Sequence, residues 1–289
     1  MDLFVQQVSS GLANGAIYAS LALALVMIYT STEHINFAQG EMAMFACYIA
    51  WQLIDWGVPY WIAFLLTILI AFAGGVTIER TILRRFHSAP VLSLIIVFIG
   101  LLVIFNSVAG WIWSFIIKEF PSPFRAFSTG TPLVGPHDLG VVAVTLMILT
   151  ALYVFFRFTP LGLAMRAAAQ NPVSAKLVGV RVGWMLALGW GLAAAVGAVA
   201  GMMVAPIVFL DPNMMAGILL YGFASALLGG ITNPGGAVLG GFILGVLENL
   251  VGTYLIGNEL KLTVALVIVI SVLIFKPSGL FGKVRVKRV

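Results

Sequence analysis

Two glutamates stand inside otherwise apolar stretches of this chain: Glu41 in INFAQGEMAMF (35–45) and Glu248 in GGAVLGGFILGVLENLVG (235–252). With a helix read from Asn36, a rise of 1.5 Å per residue puts Glu41 about 7 Å beyond the helix start. Glu248, ten residues past Val238, falls about 15 Å in, near the middle of a hydrocarbon core roughly 30 Å thick. Carboxylates at such depth are costly and face protein or a cavity rather than lipid. Glu41, Phe45, Tyr48 and Gln52 share one helical stripe, and Asn36, Gly40, Ala43 and Cys47 form the adjacent small one, so one stripe packs against a neighbour and the other lines a polar cleft. Gly241, Gly245, Glu248 and Gly252 share a further stripe, which aims Glu248 at a tight helix interface or a cavity. Each glutamate therefore has two readings, contact with a solute or an interhelical hydrogen bond that holds the bundle, and Asn249 carries the same two. Gln7, Asn14 and Asn106 read as interhelical hydrogen-bonding groups.

Enzyme chemistry finds no footing in these residues. His34, His87 and His137 fall in separate predicted loops, so no metal-ligand pair occurs at helical spacing. No Asp lies within an apolar stretch, which removes a paired-aspartate protease, and there is no GxSxG elbow. Gly282 and Lys283 are followed by Val284 and lack the upstream Gly of a P-loop. Cys47 is the single cysteine, so no intrachain disulfide forms. No catalytic residue, metal or cofactor is expected.

The elements that must position these groups are membrane helices. Hydrophobic residues make up 62% of the 289 and charged residues 9%, far from the balance of soluble domains; the mean hydropathy is +1.12. The chain reads as one all-α domain, 1–289, a polytopic transmembrane bundle of eight to ten spans with nine the best count: Gly11–Tyr29, Asn36–Ile54, Tyr60–Ile78, Val91–Trp113, Leu139–Phe156, Trp184–Pro206, Met214–Ile231, Ala237–Ile256 and Leu262–Phe275. The second and seventh, rich in small residues, are the ones expected to be broken or re-entrant. The N-terminus lacks a basic leader and is expected to stay as the first span. Twelve of the fifteen basic residues follow spans three and five or lie in the tail. Nine spans put all three segments on one face, so the positive-inside rule places the N-terminus out and the C-terminus in. The basic pI thus reflects topology, not nucleic-acid binding. Gly11–Gly15, Gly197–Gly201, Gly236–Gly240 and Gly241–Gly245 have the GxxxG spacing that lets helix backbones approach where lipid supplies no hydrophobic drive.

Between spans five and six, RFTPLGLAMRAAAQNPVSAKLVGVRVG (157–183) is too polar to cross the membrane but is punctuated for two short helices. Thr159–Pro160 and Asn171–Pro172 are N-cap and N1 pairs, and Gly179 suits the position after the second helix. The stretch reads either as a docking element for a cytoplasmic partner, with Leu161, Met165 and Arg166 as contacts, or as a basic loop resting on anionic headgroups.

The ordered set GLANGAIYASLAL, INFAQGEMAMF, TPLGLAMRAAAQNPVSAKLVGV and FASALLGGITNPGGAVLGGFILGVLENL closely resembles the LivH-type permeases of branched-chain amino-acid ABC importers, over nearly the whole chain. The resemblance implies a multi-pass subunit of the bacterial inner membrane forming half of a translocation pathway. A second permease would form the other half, a sibling or another copy of the chain. Two cytoplasmic ATPases would use the ATP, and a periplasmic binding protein would deliver the solute. It makes 157–183 the coupling loop, with Leu161, Met165, Arg166, Asn171 and Gly179 as candidate contacts or determinants, and Asn36, Gln39, Glu41, Glu248 and Asn249 as candidates for the substrate path. The loop has Ala167, Ala168 and Ala169 without the Glu of the EAA motif found in many other ABC permeases. Relatives that carry urea or short amides keep other small polar solutes open as alternatives. A self-sufficient secondary transporter is a more distant one, since neither abundant intramembrane charge nor an internal repeat is present.

Overall fold

The computed structural model of the protein describes residues 2–32, 34–86, 89–125 and 135–282. His87, Lys283, Arg285, Lys287 and Arg288 lie outside the described residues. The described chain folds into α1 (Asp2–Thr32), α2 (Gln39–Asp55), α3 (Tyr60–Thr81), α4 (Val91–Trp113), α5 (Pro136–Phe158), α6 (Pro160–Gln170), α7 (Pro172–Leu177), α8 (Val182–Val208), α9 (Met215–Gly229), α10 (Pro234–Val251) and α11 (Lys261–Phe275). Among the described residues the only β-type pairing is an isolated bridge between Lys118 and Leu210. Each of the nine expected spans coincides with a helix, and α6 and α7 are the two short helices of the polar loop. Six helical segments, built on α1, α3, α4, α5, α8 and α10, are long and apolar enough to cross a membrane. At 17 residues for α2 and 15 each for α9 and α11, the other three fall short of the roughly 20 that a crossing takes.

Because lipid tails are as apolar as leucine, these helices associate by close approach of backbones. The glycines of α1 and α10 face each other. A Cβ on Gly11 would sit 2.9 Å from Val246 Cα, one on Gly15 would sit 2.9 Å from Phe242 Cα, and one on Gly245 would overlap the Gly15 backbone. Gly240 of α10 is similarly pressed onto the Ser225–Gly229 backbone of α9. The second centre of packing is α8, buried along most of its length. Its Gly197 and Gly201 accept Gln39, Ala43 and Cys47 of α2, and its Trp190 stacks on Phe98 of α4. All four GxxxG pairs mark places where two elements touch. The outer faces of α3, α4 and α5 carry exposed Leu65, Leu69, Ile96, Ile104 and Met147, apolar surface suited to lipid.

The two segments expected to be broken are the two that start inside the bundle. The helix of α2 begins at Gln39 rather than Asn36, because Asn36 Oδ1 accepts the Ala38 N–H at 3.0 Å and holds a turn that competes with helix. Gln39 Nε2 then donates to the Ala193 carbonyl at 3.0 Å, a point eleven residues, or about 16 Å, along α8. From there α2 runs parallel to α8, with Gly201 meeting Ala43 and Cys47. The first turn of α9 lies against the first turn of α2, Met215 and Leu219 touching Gly40. It runs the other way, ending at Gly229 against Gly236, beside the end of the bundle where α8 begins.

Candidate functional site

Where α2 and α9 start, backbone and polar side chains are brought into the interior together. Ala38 and Gln39 are fully buried, and Ala38 at the N-cap offers no side-chain acceptor. Asn36 is also buried; its Nδ2 lies 3.4 Å from Gln39 Oε1. Asn36 and Gln39 are thus committed to shaping the break and tying it to α8. Glu41, in the first turn of α2 and only 6% exposed, points to the other side. Asn106 of α4 is within hydrogen-bonding reach of its carboxyl, and Asp211 is close enough to act on it electrostatically. Asn106 Nδ2 donates to the Pro212 carbonyl at 2.8 Å and to Asn213 Oδ1 at 3.1 Å, so α2, α4 and the 209–214 loop meet here. Glu41 Oε2 and the Tyr48 hydroxyl are buried without a hydrogen-bond partner.

Of the two stripes read on α2, the small one packs on α8 and α9 while the larger one faces α4. Phe45 meets Phe105 and Trp113 edge-on, Tyr48 stacks on Trp113 with centroids 5.0 Å apart, and Gln52 Oε1 accepts from Trp113 Nε1 at 2.9 Å. The glutamate is the end of that stripe nearest the break. Asn106, expected to hydrogen-bond between helices, spends its Nδ2 on the 209–214 loop and lies within reach of Glu41 of α2.

Glu248 belongs to a separate cluster. It is 3% exposed, and the hydroxyls of Tyr18 from α1 and Tyr221 from α9 lie within hydrogen-bonding reach of its carboxyl. The two tyrosine rings stack with centroids 4.7 Å apart and planes 9° apart. Asn249 ties three elements: its Nδ2 donates to the Gln7 carbonyl at 3.0 Å, and its Oδ1 accepts from Lys261 Nζ at 2.9 Å. Gln7 therefore contributes its backbone, not its side chain. Immediately beyond, Gly252–Ile256 widens into a π-helix, a turn that recurs at functional positions. Glu41 and Glu248 thus keep different partners and do not form a carboxylate pair. Neither tyrosine of this cluster was singled out by the sequence reading, although Tyr18 lies three and seven residues past Gly15 and Gly11 on the face that meets α10. Asp211 is also new; it reaches Glu41 only because the loop after α8 folds back into the bundle.

The short helices carry the caps read for them. Thr159 Oγ1 accepts the Gly162 N–H at 3.0 Å, Asn171 Oδ1 accepts the Ser174 N–H at 3.0 Å, and Gly179 takes φ +85° just past α7. The second turn is left-handed and suits glycine. Met165 is buried at 7% exposure and turns into the bundle, whereas Leu161, Asn171 and Gly179 are exposed. Arg166 is half-buried; with Met165 it lines a cavity of about 450 Å³ beneath α6, whose other walls include Met27 and Thr30 of α1, Phe156 of α5, Gly189 of α8 and Leu239 of α10. The apolar groups that face away from the bundle are Leu163 on α6 and Val173, Leu177 and Val178 around α7, at 60%, 70%, 83% and 78% exposure. Leu163 lies in the first turn of α6, Val173 in the first turn of α7, and Leu177 and Val178 at its end, positions that periodicity alone did not mark as sticky.

The described residues thus form a polytopic membrane-type helical bundle with two helices that start in its interior. Over residues 7–273 the chain matches the family described as branched-chain amino acid transport system / permease component. It is 31% identical to the high-affinity branched-chain amino acid transport system permease protein LivH of Escherichia coli, over 99% of this chain and 98% of that one. It is 30% identical to the corresponding BraD of Pseudomonas aeruginosa over the same shares. To the probable branched-chain amino acid transport permease protein LivH of Methanocaldococcus jannaschii it is 29% identical, over 91% of this chain and 87% of that protein. The protein belongs to the branched-chain amino acid transport permease family and is a multi-pass membrane permease component.

Proposed function

We propose that this chain is the membrane-spanning permease subunit of an ATP-driven importer of the bacterial inner membrane and forms half of a translocation pathway for branched-chain amino acids. A second permease, sibling or copy, completes the pathway; a periplasmic binding protein delivers the solute; two cytoplasmic ATPases supply the energy, so this subunit carries no nucleotide or other cofactor. The N-terminus lies outside and the C-terminus inside. In this topology α2 and α9 complete their crossings with the non-helical segments 34–38 and 209–214 that precede them, which keeps the parity of nine.

The observation that carries the reading is the α6–α7 pair. It lies between two membrane helices, is capped at both starts, and presents Leu161, Leu163, Val173, Leu177 and Val178 outward. Exposed apolar side chains on short, well-defined helices fit a groove on a partner protein better than a hydrated headgroup layer. The cavity under α6 lets that helix shift without unpacking the bundle, which suits an element that passes a partner's movement inward. The α2–α9 break supports the same reading, because helices that begin within the bilayer are where transporters hold the charges of small solutes.

Reconstitution tests it. The chain alone in proteoliposomes should move no leucine under any ion gradient. The complex purified from native membranes with its ATPases should import leucine when its binding protein and internal ATP are both supplied. Uptake by the chain alone, or a complex that works without ATP, would overturn the proposal. Identification of the ligand on the co-purified binding protein distinguishes branched-chain amino acids from urea or short amides.

A further inference from the structure

We infer that Glu41, Asp211, Asn106 and Tyr48 form a binding site for a primary ammonium group at the break between α2 and α9. The assignment rests on the transport reading above and names which part of the solute this end of the path recognises.

Several independent features converge on these four residues. Glu41 is only 6% exposed, and its Oε2 has no hydrogen-bond partner. Tyr48, fully buried, leaves its hydroxyl unpartnered as well. Asp211 acts electrostatically on both groups, and Asn106 reaches the Glu41 carboxyl while anchoring the Asp211–Asn213 segment through the Pro212 carbonyl. Every one of these groups is negative or can accept a hydrogen bond. Among the described residues no lysine or arginine pairs with Glu41, and Lys118, whose backbone pairs with Leu210 next to Asp211, holds its ammonium 4.5 Å over the Trp51 ring. A buried carboxylate that lacks a countercharge is expensive, and two acids facing one region add repulsion. A ligand cation removes both costs. An alkylammonium has three N–H donors to distribute over a carboxylate, a hydroxyl and an amide oxygen.

Access favours a ligand over a permanent structural bond. Asp211 and Asn106 are only half-buried, so the cluster opens toward the end of the bundle where α8 stops, opposite the α6–α7 pair. Glu248 shares the buried, unpartnered Oε2, but its surroundings differ: two tyrosine hydroxyls and the cationic Lys261 act on its carboxyl, where Glu41 has an acid, Asp211, beside it.

The test uses the purified permease–ATPase complex in nanodiscs and reads ligand binding without transport. Isopentylamine carries the ammonium and the branched side chain; 4-methylpentanoate carries the side chain and a carboxylate; sodium chloride is the inorganic cation arm. Isopentylamine should bind the unaltered complex, and Glu41→Gln should weaken it about tenfold or more, since a charge-assisted bond becomes a neutral one. Asp211→Asn, on the half-exposed loop, should weaken it several-fold without affecting the fold, and Glu248→Gln should leave it unchanged. Equal binding to Glu41→Gln and the parent, no binding of the amine to the parent, or saturation by sodium with no effect of the amine would each overturn the assignment. Loss of leucine uptake by the unaltered complex would instead overturn the transport reading, and the amine titration separates the two.

Discussion

Asn171→Ala takes away one hydrogen bond at the place where the proposed coupling element is weakest. Asn171 Oδ1 accepts the Ser174 N–H at 3.0 Å, and α7 is only six residues long. A helix of fewer than two turns does not persist on its own in water, because nucleation is not recovered over so few residues. Its order comes from the cap, from the preset φ of Pro172 and from Ala175, which packs with Ala168 and Val182. Removing an N-cap side chain costs about 1 kcal/mol, which shifts the balance between ordered and frayed α7 roughly fivefold. Amide exchange over 173–178 should therefore accelerate about fivefold, while exchange in α8 stays as it was. In reconstituted vesicles the ATP consumed per solute imported should rise, because the ATPases would push on an element that yields. Asn171→Asp and Asn171→Ser keep an acceptor at the cap and should restore both readouts. If Asn171→Ala exchanges and couples like the parent, or if Asn171→Ser behaves like Asn171→Ala, the cap does not hold α7 and the argument fails.

Gly245→Leu should prevent α1 and α10 from docking and cost about 3 kcal/mol or more, seen as aggregation on size-exclusion chromatography, whereas Gly100→Leu, whose Cβ would meet no neighbouring atom within 4 Å, should elute and melt like the parent. Tyr18→Phe and Tyr221→Phe each remove one donor near the Glu248 carboxyl and should lower thermal stability in detergent by about 1–3 kcal/mol; the double variant should lose more than either, and an unchanged melting profile would refute the cluster. Gly189→Leu places an apolar side chain in the cavity under α6, where the nearest atom to a Cβ is Met165 Cε at 3.8 Å. It should raise the melting temperature through about 1–2 kcal/mol of added packing while reducing ATP-driven uptake; uptake at the parent rate would show that α6 does not need that space.

Much of the architecture was legible because membrane insertion leaves simple marks on a chain. Apolar runs, glycine spacing and Pro-flanked caps each report a local requirement, so the nine apolar helices, the glycine faces on which backbones approach and the start of both short helices could be placed residue by residue. Asn36, Gln39 and Glu41 were recognised as a polar group at the head of α2. That Asn36 would turn the chain and delay the helix to Gln39 depends on a side-chain hydrogen bond competing with the backbone, a contest that spacing alone leaves open.

What the sequence by itself determined is the class of protein: a helical membrane bundle with a basic edge, two acids set inside apolar stretches and a capped pair of short helices, all set by hydropathy and local backbone chemistry. Only the tertiary structure decided what each acid faces. Glu41 and Glu248 look alike in a linear reading and each keeps one unpartnered carboxyl oxygen, yet the fold-back of 209–214 gives one an acidic neighbour, while the packing of α1, α9 and α11 gives the other two tyrosines and a lysine. The reason is that a side chain's partners in a bundle come from helices dozens to hundreds of residues away, and their register is set by glycine contacts at Gly15, Gly197 and Gly245 that no local pattern pairs with one another.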